Sequence, residues 1–331
     1  AEDGIRDLVR SRGLGDVYKR QVTFRDDLLI NMSAGHQVDV DGYYLNVDWD
    51  FGDYTFSSVT GLREQESELP STYTGEVGPV SLFDANRVDD RETFQHEMRI
   101  ATHFGGAFDL VGGFFYQEDT TTFCVIQVLG FLDLLGLGDA FFGDPTFFDN
   151  NPQILCNEQD AENYAIFADG TWTVNDRLSI GAGLRWTDEK KEWIGRNQVF
   201  IQALSGTFDP TFTWEDLGDP LDGADFGRFP IGVFEDDESW TELTWRGTVS
   251  YQISDAAYGY FTYARGFKSG AYNDQTGTSG AAITAASAAP TDPEIADSFE
   301  AGIKLDLLER RLRVDLTAFH VIYDDAQRDL V

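Results

Sequence analysis

The chain has 331 residues, 14% of them aromatic and 33 of them Gly, and carries a formal charge of -34. That acidity excludes a binder that must neutralise nucleic-acid phosphates, and the aromatic content argues against a disordered acidic chain. No run of about 18 apolar residues occurs, so no transmembrane helix is expected; a membrane barrel, whose strands signal weakly, stays open.

Residues 1–21, AEDGIRDLVRSRGLGDVYKRQ, have mixed charge and neither strand alternation nor a helix face. They lack the charged-then-apolar pattern of a signal peptide and read like translated adapter sequence, so they are set aside as a non-native or linker-like segment. The unit to be explained is 22–331. Residues 22–37 form an irregular lead-in. Strand alternation then begins at 43–51, where Tyr43, Leu45, Val47, Trp49 and Phe51 share one parity against Tyr44, Asn46, Asp48 and Asp50. Gly52-Asp53 makes a turn, 54–64 returns, and 67–91 is a polar loop with Pro70 and Pro79.

A second hairpin spans 92–103 and 107–121, with Gln95, Glu97 and Arg99 opposite Phe94, Met98 and Ile100. The excursion 122–160 carries the apolar run FLDLLGLGDAFF, expected as a short loop helix too short and acidic to span a bilayer. The third hairpin, 161–174 and 178–192, turns at Asn175-Asp176 and sets Leu178, Ile180, Leu184 and Trp186 against Ser179, Gly181, Gly183 and Arg185. An acidic loop fills 193–238. The fourth hairpin, TELTWRGTVSYQISDAAYGYFTYARGFK, follows Trp240 and turns at Ser254-Asp255. A Gly/Ala/Ser/Thr loop covers 269–293, and the fifth hairpin pairs 294–306 with 311–325 around a turn at 307–310.

About ten strands thus fall in five hairpins, with short turns alternating with long loops. That asymmetry belongs to an antiparallel up-and-down transmembrane β-barrel, and a soluble β-sandwich binding module would less often keep it. The fold class is all-β.

No catalytic or nucleotide motif is present: no GxSxG, HExxH, P-loop or CxxC. The chain reads as no enzyme, with no cofactor. The four His show no zinc spacing, and the acidic loops no DxDxDG calcium spacing. Cys124 and Cys156 flank one loop, and a loop disulfide is expected, two free thiols being the alternative. The charged residues Asp48, Arg63, Glu97, Arg99, Arg185, Glu242, Arg246, Arg265, Lys304, Arg313 and Asp315 are assigned to the face opposite the apolar one. A midplane Arg or Lys in lipid would cost about 2–4 kcal/mol, so these point to a lumen. Asp48, Glu97, Arg99, Arg185, Arg246, Arg265 and Lys268 are the candidates for contact with a solute or a plug, and Arg265 and Lys268, near the loop-side strand end, are the better ones. Tyr258, Tyr260, Trp49, Trp186 and Trp245 read as membrane-interface aromatics.

Four segments, in order, resemble the TonB-dependent receptors of the Gram-negative outer membrane: ETFQHEMRIAT at 92–102, ENYAIFADGTWTVNDRLSIGAGLRWTDEKKEW at 162–193, YGYFTYARGFKSGAYN at 258–273 and PEIADSFEAGIKLDLLERRLRVDLTAFHVIYDDAQ at 293–327. The resemblance covers most of 38–331. It implies an internal piece of a 22-stranded barrel, without the family's coupling box or plug. It further implies outer-membrane uptake of a scarce, large solute, most often a ferric siderophore, energised by the TonB complex. A glycan or cobalamin receptor, or a passive or structural pore, is the alternative. Outer-membrane lipid is the expected surrounding partner.

Overall fold

A computed structural model describes residues 35–72, 82–102, 105–151, 153–200, 228–273 and 288–327. The segment 1–21 and nearly all of the 22–37 lead-in lie outside these. Ten strands pair strictly in chain order into one antiparallel sheet. They are β1 (Gln37–Phe51), β2 (Tyr54–Thr72), β3 (Asp84–Thr102), β4 (Phe108–Val128), β5 (Gln153–Thr173), β6 (Leu178–Phe200), β7 (Arg228–Ser254), β8 (Ala257–Lys268), β9 (Glu294–Leu307) and β10 (Leu312–Asp324). The sheet is open, because β1 pairs among the described strands with β2 alone and β10 with β9 alone.

The register carries one face continuously across the sheet. A row of cross-strand neighbours runs Trp49, Phe56, Ile100, Gly112, Ala168, Leu184, Trp245. The next residue on each strand looks the other way, as the pleat requires. Side chains on this outer face are apolar and open: Ile166 is 60% and Leu184 57% exposed, although both are aliphatic. Such a surface on a single-layer sheet is stable only against an apolar solvent.

Aromatic rings bound this face at two levels. Near the short turns, Trp49 meets Phe51, Phe51 stacks on Tyr54, and Phe108 stacks on Trp172 at 5.6 Å. Eight residues further along the strands, Tyr116 meets Phe94 and, at 4.9 Å, Tyr164. Eight residues on strands tilted by about 40° rise about 20 Å, close to the apolar band of an outer-membrane barrel. Just above the second belt, Tyr116 Oη donates to Glu118 and Tyr263 Oη to Asp297 (3.1 and 2.7 Å). These pairs mark where the outer face passes from lipid to water.

The strands are longer than alternation suggests, always at the loop end. β2 and β3 absorb parts of the expected 67–91 loop, β4 and β5 parts of 122–160, and β6 and β7 parts of 193–238. Above the lipid level neither face is consistently apolar, so the hydropathy period vanishes while the hydrogen-bond ladder continues. The fourth turn lies at Asp255 and Ala256, one residue later than expected, because β7 bulges between Gln252 and Ser254. The fifth occupies 308–311, with Leu308, Glu309 and Arg310 all at positive φ. In the third, Asn175 Oδ1 accepts the amides of Arg177 and Leu178, the local bonding that favours Asn in turns.

FLDLLGLGDAFF does not form one helix. It yields α1 (Phe131–Leu134) and α2 (Leu137–Phe142), followed by α3 (Phe147–Asn150). Gly136 and Gly143, at φ 75° and 69°, bracket α2 in the left-handed conformation glycine tolerates. No helix among the described residues is long and apolar enough to cross a membrane. Two buried clusters among the described residues lie toward the loops: Ala85, Val125 and Leu155 under Phe123, and Trp193, Tyr272 and Ala288 beside Phe234. Cys124 and Cys156 are opposed on β4 and β5 and joined by a disulfide, below the loop that carries the helices.

Candidate functional site

The inner face is where chemistry can reside. One of its cross-strand rows reads Arg99, Gly113, Phe167, Arg185, Thr244. The Arg185 guanidinium lies 5.3 Å from the Phe115 ring centroid and 5.8 Å from that of Phe167, a cation framed by two π faces. Its Nε donates to Thr187 Oγ1 at 3.2 Å. Phe167 can lie there because residue 113 is Gly: a Cβ would come within 2.5 Å of the ring and 2.6 Å of Met98 O.

In the next row Asp169, Gly183 and Arg246 stand side by side on β5, β6 and β7. Arg246 Nε and Nη2 donate to Asp169 Oδ2 and Oδ1 at 2.7 and 2.8 Å, a bidentate pair reaching across the glycine. A side chain at 183 would collide with the Asp169 carboxylate. Arg99 lies 3.8 Å from Glu97 on its own strand. Asp48 accepts from Ser57 Oγ at 2.6 Å. Lys268, exposed at the end of β8, sits opposite Glu294. Further toward the turns, Tyr260 Oη donates to Glu300 at 2.5 Å, and Arg313 Nε to Asp306 at 3.0 Å.

Arg265 departs from expectation. It pairs across strands with Trp245 and Asp297, both on the outer face. Its guanidinium stacks 5.2 Å above Trp245 and contacts Asp297 at 3.3 Å. Tyr258 and Tyr260 sit on the inner face instead, opposite Gln252 and Ser250. β8 has aromatic residues on both parities, so hydropathy cannot orient it; only its register against β7 does. Arg265 avoids the lipid interior by standing at the upper edge of the apolar band, neutralised by Asp297.

Sequence reasoning missed several inner-face residues. Phe115 and Phe167 were legible by parity, since each falls opposite the apolar series of its strand. Lys191, Trp193 and Trp240 gather near the loop end, and only extending the parity beyond the apolar band would have found them. There Tyr272 is buried beside Asp236, and both effects hold its phenol above the ordinary tyrosine pKa. Among the described residues no group of three or more metal-ligating side chains could hold an ion.

A one-layer wall with an apolar outer face, a polar inner face and tight turns at one end defines an outer-membrane β-barrel wall. The family model described as TonB dependent receptor-like, beta-barrel matches residues 5–330, and the chain belongs to that family. No curated protein matches. Three solved receptors share the fold. The ferric yersiniabactin uptake receptor FyuA of Yersinia pestis is 16% identical, with TM-score 0.63 over 88% of this chain and 37% of its own. The ferric-catecholate import receptor Fiu of E. coli K12 is 13% identical, with TM-score 0.53, covering 86% and 41%. The siderophore receptor PiuA of Acinetobacter baumannii is 12% identical, with TM-score 0.52, covering 86% and 40%. The chain therefore spans about two fifths of the length of these receptors.

Proposed function

We propose that this chain is part of the wall of an outer-membrane receptor that takes up a large, scarce solute, a ferric siderophore, with energy delivered by the TonB complex through a plug outside this chain. The match to the receptor-barrel family over residues 5–330 carries this reading. The described roles of FyuA, Fiu and PiuA, each tied to ferric or siderophore uptake, favour the choice of solute. On this reading Asp48, Glu97, Arg99, Arg185, Arg246 and Lys268 form the polar wall facing the plug or the passing solute. Arg265, on the outer face, leaves that set.

Uptake of radiolabelled iron tests the reading. Cells lacking the gene are expected to lose uptake of at least one ferric catecholate, hydroxamate or carboxylate siderophore and to regain it on complementation. Undiminished uptake of all three classes, with expression indifferent to iron starvation, would count against it.

A further inference from the structure

The connection leaving β8 does not stand clear of the wall. It folds back over the inner face of β6 and β7. Lys191 Nζ donates to Ser269 Oγ at 3.0 Å and to Gly270 O at 2.8 Å. The same ammonium lies 3.2 Å from Glu189 and 5.6 Å from the Trp240 ring centroid. Ser269 Oγ in turn donates to Glu189 at 2.5 Å. Gly270 is wedged so tightly that any side chain would strike the Trp240 ring and Thr291 O.

Two residues on, Tyr272 stacks on Trp193 at 5.3 Å with the rings 8° from parallel, and its hydroxyl donates to Asp236 at 3.2 Å. The returning arm joins the same cluster: Ala288 is buried with Trp193 and Tyr272, and the Thr291 amide donates to Ala271 O at 2.9 Å. From the far side the Gln327 amide donates to Ser269 O and Asp292 O. Glu189 and Lys191 on β6 and Trp240 on β7 have inner-face parity, and so do Trp193 and Asp236, which face each other across the ladder. Both ends of the β8–β9 connection are thus fixed over the lumen side of the wall, not outside it.

Lys191 has a 13% exposed side chain, and its ammonium has three partners, two by hydrogen bonds and Glu189 by an ion pair. Two of those partners belong to the connection. Lifting it would exchange two of the ammonium's three protein partners for water and break the ring stacking of Tyr272 on Trp193, a net loss that keeps the arrangement closed.

We propose that segment 269–272 is a latched strap at the outer mouth. Closed, it covers the inner wall of β6 and β7, where Trp193 and Trp240 are only 3% and 9% exposed, and a large solute passes only when it is released from Lys191, Trp193 and Trp240. The passage clause rests on the uptake reading above; the latch does not.

The test uses the complete receptor containing this chain, in outer membranes of intact cells. Lys191→Met removes the bolt, and Gly270→Val pushes the strap off Trp240 without altering the sheet. Chymotryptic cleavage after Tyr272 reports release. Labelling of Thr187→Cys, an inner-wall position of β6 that is 2% exposed and lies two residues before Glu189, by an impermeant maleimide reports shielding. Both rates are expected to rise roughly tenfold in at least one variant that keeps heat-modifiable migration, the effect of losing one charge-assisted hydrogen bond. Wild-type cleavage as fast as in such a variant, or cleavage slow in both variants, would overturn the latch. Faster cleavage with unchanged labelling would overturn the shielding. If siderophore uptake is absent while both latch readouts behave as expected, the uptake reading fails and the latch stands.

Discussion

At the scale of single residues, the inner wall depends on glycines as much as on charges. Asp169 and Arg246 meet only because Gly183 leaves the gap between β5 and β7 empty. The Arg246 side chain is 55% exposed, so the pair is screened by water. A double-mutant cycle with Asp169→Ala and Arg246→Ala is expected to give a coupling of about 0.5–1 kcal/mol in denaturant unfolding. Gly113→Ala should cost more, about 1–3 kcal/mol, because its Cβ meets the Met98 carbonyl as well as the movable Phe167 ring. Beyond the apolar band, Asp90 faces Glu66 across the ladder and follows Asp89 in sequence. Desolvation, then the Glu66 and Asp89 charges, raise its pKa above the ordinary value of 3.8. A raised carboxyl pKa penalises the charged form in the fold: the penalty is absent below pH 3.8 and complete above the folded-state pKa. Asp90→Asn should therefore raise the thermal midpoint at pH 7 and lose that advantage near pH 3.5, as followed by thermal melts across that range.

At the scale of elements, sequence alternation located all ten strands and four of the short turns to within a residue, but it ended where lipid ends. β6 shows why. Its alternation is sharp from Leu178 to Thr187, where one face meets hydrocarbon, and fades through 188–200, where Asp188, Glu189, Lys190, Lys191 and Glu192 place charge on both faces. The ladder to β7 continues regardless. The candidate site was legible to the same degree. Arg185 and Arg246 were found because each falls on the polar parity of a clean alternation. Arg265 was misplaced because Phe261 and Tyr263 share its face while Tyr258 and Tyr260 occupy the other, leaving no apolar contrast to read. The Lys191 cluster was hidden because its partners come from the loop after β8, about 80 residues away in sequence. A charge on the outer face of this element should be costly in a way that a charge on the inner face is not. Leu184→Arg is expected to destabilise the folded receptor by about 2–4 kcal/mol, and Thr244→Arg, on the inner face opposite Arg185, by far less. Reversible unfolding in detergent or lipid measures both.

At the scale of the whole molecule, ten strands leave two edges. β1 and β10 each offer an unpaired ladder along one side among the described strands, a costly arrangement in hydrocarbon and an invitation to pairing with further strands. Further strands paired beside β1 and β10 would remove both edges. The 331-residue chain on its own is accordingly expected to lack the heat-modifiable electrophoretic migration of a closed barrel, whereas the receptor containing it should show that migration.

Alternate residues of one strand face lipid and lumen, and spin labels placed singly along β6, at 180 to 186, in the complete receptor reconstituted in bilayers report that alternation. Collision with molecular oxygen, which concentrates in lipid, is expected to peak at positions 180, 182, 184 and 186 and to fall at 181, 183 and 185, with period two. Accessibility without that alternation, or with water-soluble nickel reagents reaching the even positions, would contradict it.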